Sequence, residues 1–122
     1  MEIIQVAKKI EEKIKTLELG REILKERAQA KAENLANYDK LLAKTLIQLK
    51  NGVEFELEGE KIKDPIASVS EKIAKGIIFQ AKLDMELSDL GYRNALVGMT
   101  AISAELSALQ SIFRHLETTT EE

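Results

Sequence analysis

Lys50-Asn51-Gly52-Val53-Glu54-Phe55-Glu56-Leu57-Glu58-Gly59-Glu60-Lys61-Ile62-Lys63-Asp64-Pro65 interrupts a chain that otherwise reads as helix. Asn and Gly tolerate the left-handed conformation found at helix C-termini, so Asn51-Gly52 marks a stop. Val53 to Glu58 then alternates apolar and acidic residues, and Lys61-Ile62-Lys63 resumes the alternation after Gly59. A period of two is that of a strand, so the connection 51–67 is predicted to hold a small β-hairpin. Two strands alone are marginal in water, which requires Val53, Phe55, Leu57 and Ile62 to rest on the helix ends or on another subunit.

On the N-terminal side, residues 2–50 contain no proline and one glycine, Gly20. Their seam positions recur four and three residues apart: Ile3, Ala7, Ile10, Ile14, Leu17, Arg21, Leu24, Ala28, Lys31, Leu35, Tyr38, Leu42, Thr45 and Leu49. That spacing is a coiled-coil seam. A helix of this length spans roughly 70 Å and needs a partner of similar length. Residues 68–117 supply one, through Ala74, Ile78, Ala81, Met85, Ser88, Tyr92, Ala95, Met99, Ile102, Leu106, Leu109, Phe113 and Leu116. Its start is either Asp64-Pro65 or the capping-box spacing of Ser68 and Glu71, of which Ser68 is preferred here. The polar tail 118–122 is expected to fray.

Two such helices on a short connection fold back as an antiparallel helical hairpin, an all-α fold with residue i facing about residue 118 − i. Gly20 is then expected opposite Gly98, in a close backbone approach, and Lys31 near Asp84 and Asp89. Polar seam residues of this kind more often fix register than carry chemistry.

At 122 residues, with 44% hydrophobic, 32% charged and 4% aromatic residues and a single proline, the chain has room for one domain and no composition for extensive sheet. The absence of cysteine excludes disulfides, thiolate metal sites and a cysteine nucleophile. The N-terminus lacks the order of a secretory signal, so a cytoplasmic location is expected.

Asn94 to Phe113, NALVGMTAISAELSALQSIF, carries one charge, Glu105. Beside its seam residues runs a second row, Val97, Ala101, Ala104, Ala108 and Ser111. Such short side chains admit a further helix, so this row is predicted to be the interface of a homo-oligomer, or coiled-coil-like bundle. A membrane span is not expected, because Asn94, Thr100, Ser103, Glu105, Ser107 and Gln110 interrupt the stretch and no aromatic belt flanks it.

Net charge is −3 overall, but residues 1–50 are basic while the rest of the chain is acidic. Lys8, Lys9, Lys13 and Lys15 could meet phosphates, yet Glu11, Glu12 and Glu18 dilute them and no aromatic residue is interleaved for base stacking. Nucleic acid is therefore a secondary expectation. His115 is the sole histidine, with no zinc spacing around it, and no nucleophile–histidine constellation is visible. Lys75-Gly76 lacks the rest of a phosphate-binding loop. No enzyme, cofactor, metal or small-molecule substrate is expected.

Tyr38-Asp39-Lys40 with Leu42-Ala43, Leu49-Lys50-Asn51-Gly52, Glu71 to Gly76 (EKIAKG), and Leu106 to Glu117 (LSALQSIFRHLE) together resemble small uncharacterised helical proteins of phages and prophages of Gram-positive bacteria. The likeness covers about residues 30–117. It implies an accessory role near phage DNA replication or recombination, through a protein partner, and singles out Lys72, Lys75, Gly76, Arg114 and His115 as binding positions. In outline alone, helix–hairpin–helix also resembles a prefoldin-type chaperone subunit.

Overall fold

The computed structural model describes residues 2–121. It comprises α1 (Ile3–Lys50), β1 (Phe55–Leu57), β2 (Glu60–Ile62), α2 (Ala67–Ile77) and α3 (Phe79–Glu121). The fold is all-α, with helices packed as an antiparallel pair and a small two-stranded sheet between them in sequence. Contacts cluster into two compact units, one of residues 1–28 with 91–122 and one of residues 29–90.

In the unit of residues 29–90, α1 ends as Asn51-Gly52 predicts. Gly52 has φ +80°, the Gly52 N–H donates to the Leu49 carbonyl (3.2 Å), and the Val53 N–H donates to the Gln48 carbonyl (3.0 Å). These two bonds form a Schellman motif, which satisfies carbonyls the helix would otherwise leave open. Phe55 pairs with Ile62 and Leu57 with Glu60 across an antiparallel ladder. Glu58 (φ 49°) and Gly59 (φ 83°) make the two-residue turn, both left-handed as a type I′ hairpin requires. Phe55, Leu57 and Ile62 are half-buried, but Val53 lies outside the strand and is exposed, so it does not join the packing predicted for it. A Cβ at Gly76 would stand 3.4 Å from Leu57 Cδ2, so the missing side chain makes room for the hairpin against α2.

Ser68 is not the cap of α2. The helix starts at Ala67 behind an extended Ile66, without a side-chain cap, and the Ser70 hydroxyl donates to the Ile66 carbonyl (3.1 Å). The cap is Ile66, directly after Pro65 and two residues earlier than the serine spacing suggests. The predicted single helix 68–117 is also broken at Ile78 (φ −98°, ψ 28°), between α2 and α3. Hydrogen bonds still bridge the break, from Ile78 N–H to the Ala74 carbonyl (3.1 Å) and from Lys82 N–H to the Ile78 carbonyl (3.3 Å). Tyr38, Thr45, Leu49, Ala74 and Ala81 form the buried interior of this unit. Lys31 pairs with Asp89 (3.1 Å), while Asp84 accepts instead from Gln80 Nε2 (3.0 Å).

In the unit of residues 1–28 and 91–122, the register is legible in three contacts. Lys13 pairs with Glu105, Met99 lies over Gly20, and Arg27 lies over Gly91. All three obey the predicted 118 − i to within a residue. The expected Gly20–Gly98 approach does not occur: Met99 fills the Gly20 notch, and a Cβ at Gly98 would meet nothing within 4 Å. Val6 and Leu17 are buried beside half-buried Ile3, Ile10 and Leu24. Every predicted seam position of the second helical segment, from Ala74 to Leu116, is buried or half-buried.

The first helix follows its predicted seam less closely. Ile14, Arg21, Ala28 and Leu35 are exposed, and their neighbours Lys13, Gly20 and Asn34 take the covered side. Along this row Lys13 reaches Glu105 and Gly20 leaves room for Met99. The tail expected to fray is helical to Glu121, with Thr118 and Thr119 hydroxyls donating to the carbonyls of Arg114 and His115 (2.9 Å each).

Replacing Gly52 by alanine forces a Cβ into φ +80° and should cost about 1 kcal/mol. Leu49→Ala, which empties a side-chain site only 2% exposed, should cost about 2–5 kcal/mol. Urea unfolding followed by circular dichroism at fixed protein concentration measures both.

Candidate interaction surface

The row Val97, Ala101, Ala104, Ala108 and Ser111 is exposed throughout, on the side of α3 turned away from α1, and Val97 is 69% exposed. Two polar side chains in the stretch are engaged by their own chain. The Thr100 hydroxyl donates to the Leu96 carbonyl (3.0 Å), and Glu105 is drawn to Lys13 on α1. The face is thereby left almost uncharged. On α1 of the same unit, Ile4, Leu19 and Ile23 are also exposed.

The unit of residues 29–90 has an exposed row that the sequence reading missed: Phe79, Leu83, Leu87 and Leu90 on α3. Its signal was available. Counting back from Val97 by three and four gives Asn94, Leu90, Leu87 and Leu83, the same repeat carried toward the helix start. Leu35, Ile47, Ile66 and Val69 add further apolar exposure to this unit.

The positions singled out by the phage resemblance are dispersed. Lys72 is exposed on α2, Lys75 pairs with Glu71 one turn away (3.2 Å), and Gly76 is occupied in admitting Leu57. Arg114 and His115 belong to the other unit, both exposed, with Arg114 Nε donating to the Gln110 carbonyl (3.4 Å). Of the four lysines near the N-terminus, Lys13 is held by Glu105, while Lys8 and Lys9 flank an open depression shared with Gln5 and Glu12.

No group of three metal-ligating side chains occurs among the described residues. A cleft of about 640 Å³ lies beside the hairpin and is rimmed by Glu56, Glu58 and Glu60 over Leu57, Ile77 and Phe79. Within Phe79–Thr119, α3 is long and apolar enough to cross a bilayer by length and composition alone. A surface helix that packs on another copy satisfies the same criterion.

The chain matches no protein-family model, no curated protein and no solved structure.

Lys13 is half-buried and Glu105 exposed, so the pair is partly screened by solvent and serves register more than stability. Lys13→Met should change unfolding free energy by less than about 1 kcal/mol, measured by urea titration.

Proposed function

We propose that this chain is a non-enzymatic interaction protein that works as a homo-oligomer of helical hairpins. One observation carries the reading. Among the described residues, six hydrophobic residues are buried, whereas sixteen large hydrophobic side chains are exposed. Exposed apolar area on this scale marks a surface that another protein covers. Val97, Ala101, Ala104, Ala108 and Ser111 are the contact we assign to the second copy. Their short side chains permit close helix approach, and no charged group stands in the row.

The resemblance of residues 30–117 to phage and prophage proteins extends this to a cytoplasmic accessory factor in phage DNA replication or recombination, acting through a protein partner. A second reading, direct nucleic-acid binding, is favoured by the exposure of Lys8, Lys9, Lys15 and Lys72.

Sedimentation distinguishes an assembling protein from a monomer. The wild type is expected as a dimer or larger species and Ala104→Glu as a monomer that retains its helical circular dichroism. A wild type that sediments as a monomer at tens of micromolar ends the proposal. For the second reading, labelled single- and double-stranded DNA is titrated at low and moderate salt. Binding that weakens steeply with salt supports direct contact, and no binding at low salt removes it.

A further inference from the structure

We infer that the row Phe79, Leu83, Leu87 and Leu90 meets the same row of a second copy, the two segments running antiparallel about a two-fold axis between Asp84 and Met85. The contact lies wholly within the unit of residues 29–90. It rests on the homo-oligomer reading and adds to it. The row from Val97 to Ser111 makes the first contact, and this one joins the resulting dimers into larger species.

The four residues follow one another by four, four and three positions at the start of α3. That spacing keeps them within about 80° of one another around the helix. Each is a large side chain between 46% and 62% exposed. Single exposed apolar residues are ordinary on a protein surface, but four in line form a ridge that another apolar surface covers favourably.

Charge identifies that surface and its direction. Lys82 and Glu86 flank the row on the same side, and both are exposed. A separation of four residues ordinarily lets such a pair meet within its own helix. Here neither forms an ion pair among the described residues. A parallel contact would set Lys82 on Lys82 and Glu86 on Glu86, which is repulsive. In an antiparallel contact whose opposed residue numbers sum to 169 or 170, Phe79 faces Leu90 and Leu83 faces Leu87. Lys82 of each copy then comes within reach of Glu86 of the other. The row and its charges complement themselves in the antiparallel direction alone, as an isologous contact requires.

Stable interfaces use roughly 20–30 residues a side. Four apolar side chains and two charges fall short of that, so the contact acts on copies already joined in pairs, where several weak contacts add. Ala104→Glu therefore remains a monomer although this row is intact.

Leu87→Glu tests the contact in the full chain, at a position 55% exposed, so helical circular dichroism should be retained. In sedimentation the wild type is expected to exceed a dimer and Leu87→Glu to stop at one. A dimeric wild type, or larger species that Leu87→Glu leaves unchanged, overturns the inference and leaves the homo-oligomer reading standing. A monomeric wild type ends both.

Direction is read in two ways. Lys82→Glu and Glu86→Lys should each weaken the step from dimer to larger species roughly tenfold, and the double exchange should restore it. Single exchanges without effect, or a double exchange that does not recover, contradict the antiparallel direction. The chain has no native cysteine, so disulfide formation reports the same point. Phe79→Cys and Leu90→Cys are made separately, about 17 Å apart along one helix, whereas a disulfide spans roughly 7 Å between Cα atoms at most. Mild oxidation should link an equimolar mixture and neither variant alone. Linkage of each variant alone means a parallel contact and overturns the inference, as does an unlinked mixture.

Discussion

A pair of helices can hide one stripe on each member, and this chain carries more apolar surface than one stripe. The rest of the structure depends on how that excess is divided. Along α3 the seam row takes every larger residue from Met99 to Leu116 that recurs at heptad spacing, and what remains is turned outward. Along α1 the seam takes a row containing Lys13, Gly20 and Asn34 and leaves Ile14 and Leu35 to solvent. The choice is decided by fit. Met99 needs the empty place above Gly20, and Glu105, the only charge in its stretch, finds a counter-charge at Lys13. Polar residues therefore accompany the phase of the pairing, and aliphatic residues are left exposed outside it.

Much of this architecture was legible in the sequence because it rests on period and on backbone stereochemistry. The stop at Asn51-Gly52, the hairpin and the antiparallel register all follow from local rules that neighbouring side chains do not overrule. Misread details were those in which two local rules competed. Ser68 with Glu71 has capping-box spacing, but Pro65 directs the chain into helix before Ser68 can cap it. The row of Ile14 and Leu35 is the more apolar of two candidates, yet volume and charge across the seam favour its neighbour. Nothing in a single helix's periodicity contains that information, since it belongs to the opposite strand of the pairing.

Legibility of the candidate surface was uneven for a related reason. Small residues between Val97 and Ser111 stand out because they are unusual beside a seam of large ones. Leu83, Leu87 and Leu90 do not stand out, because leucine at helical spacing resembles ordinary core. Only their exposure separates them from the seam. Lys72, Lys75, Gly76, Arg114 and His115 show the converse. They are conspicuous in the sequence, but Lys75 and Gly76 are already engaged by Glu71 and Leu57.

The fit between helices of Lys13 to Glu105 and of Gly20 to Met99 also constrains how such a protein can change in length over generations. Losing one residue from the middle of either helix rotates everything beyond it by about 100° and separates those partners. Lineages could shorten or extend the rods by whole heptads removed or added on both sides at once, or by variation at the extreme ends. Between Glu58 and Gly59, where two residues already complete the reversal, there is little slack to absorb a mismatch.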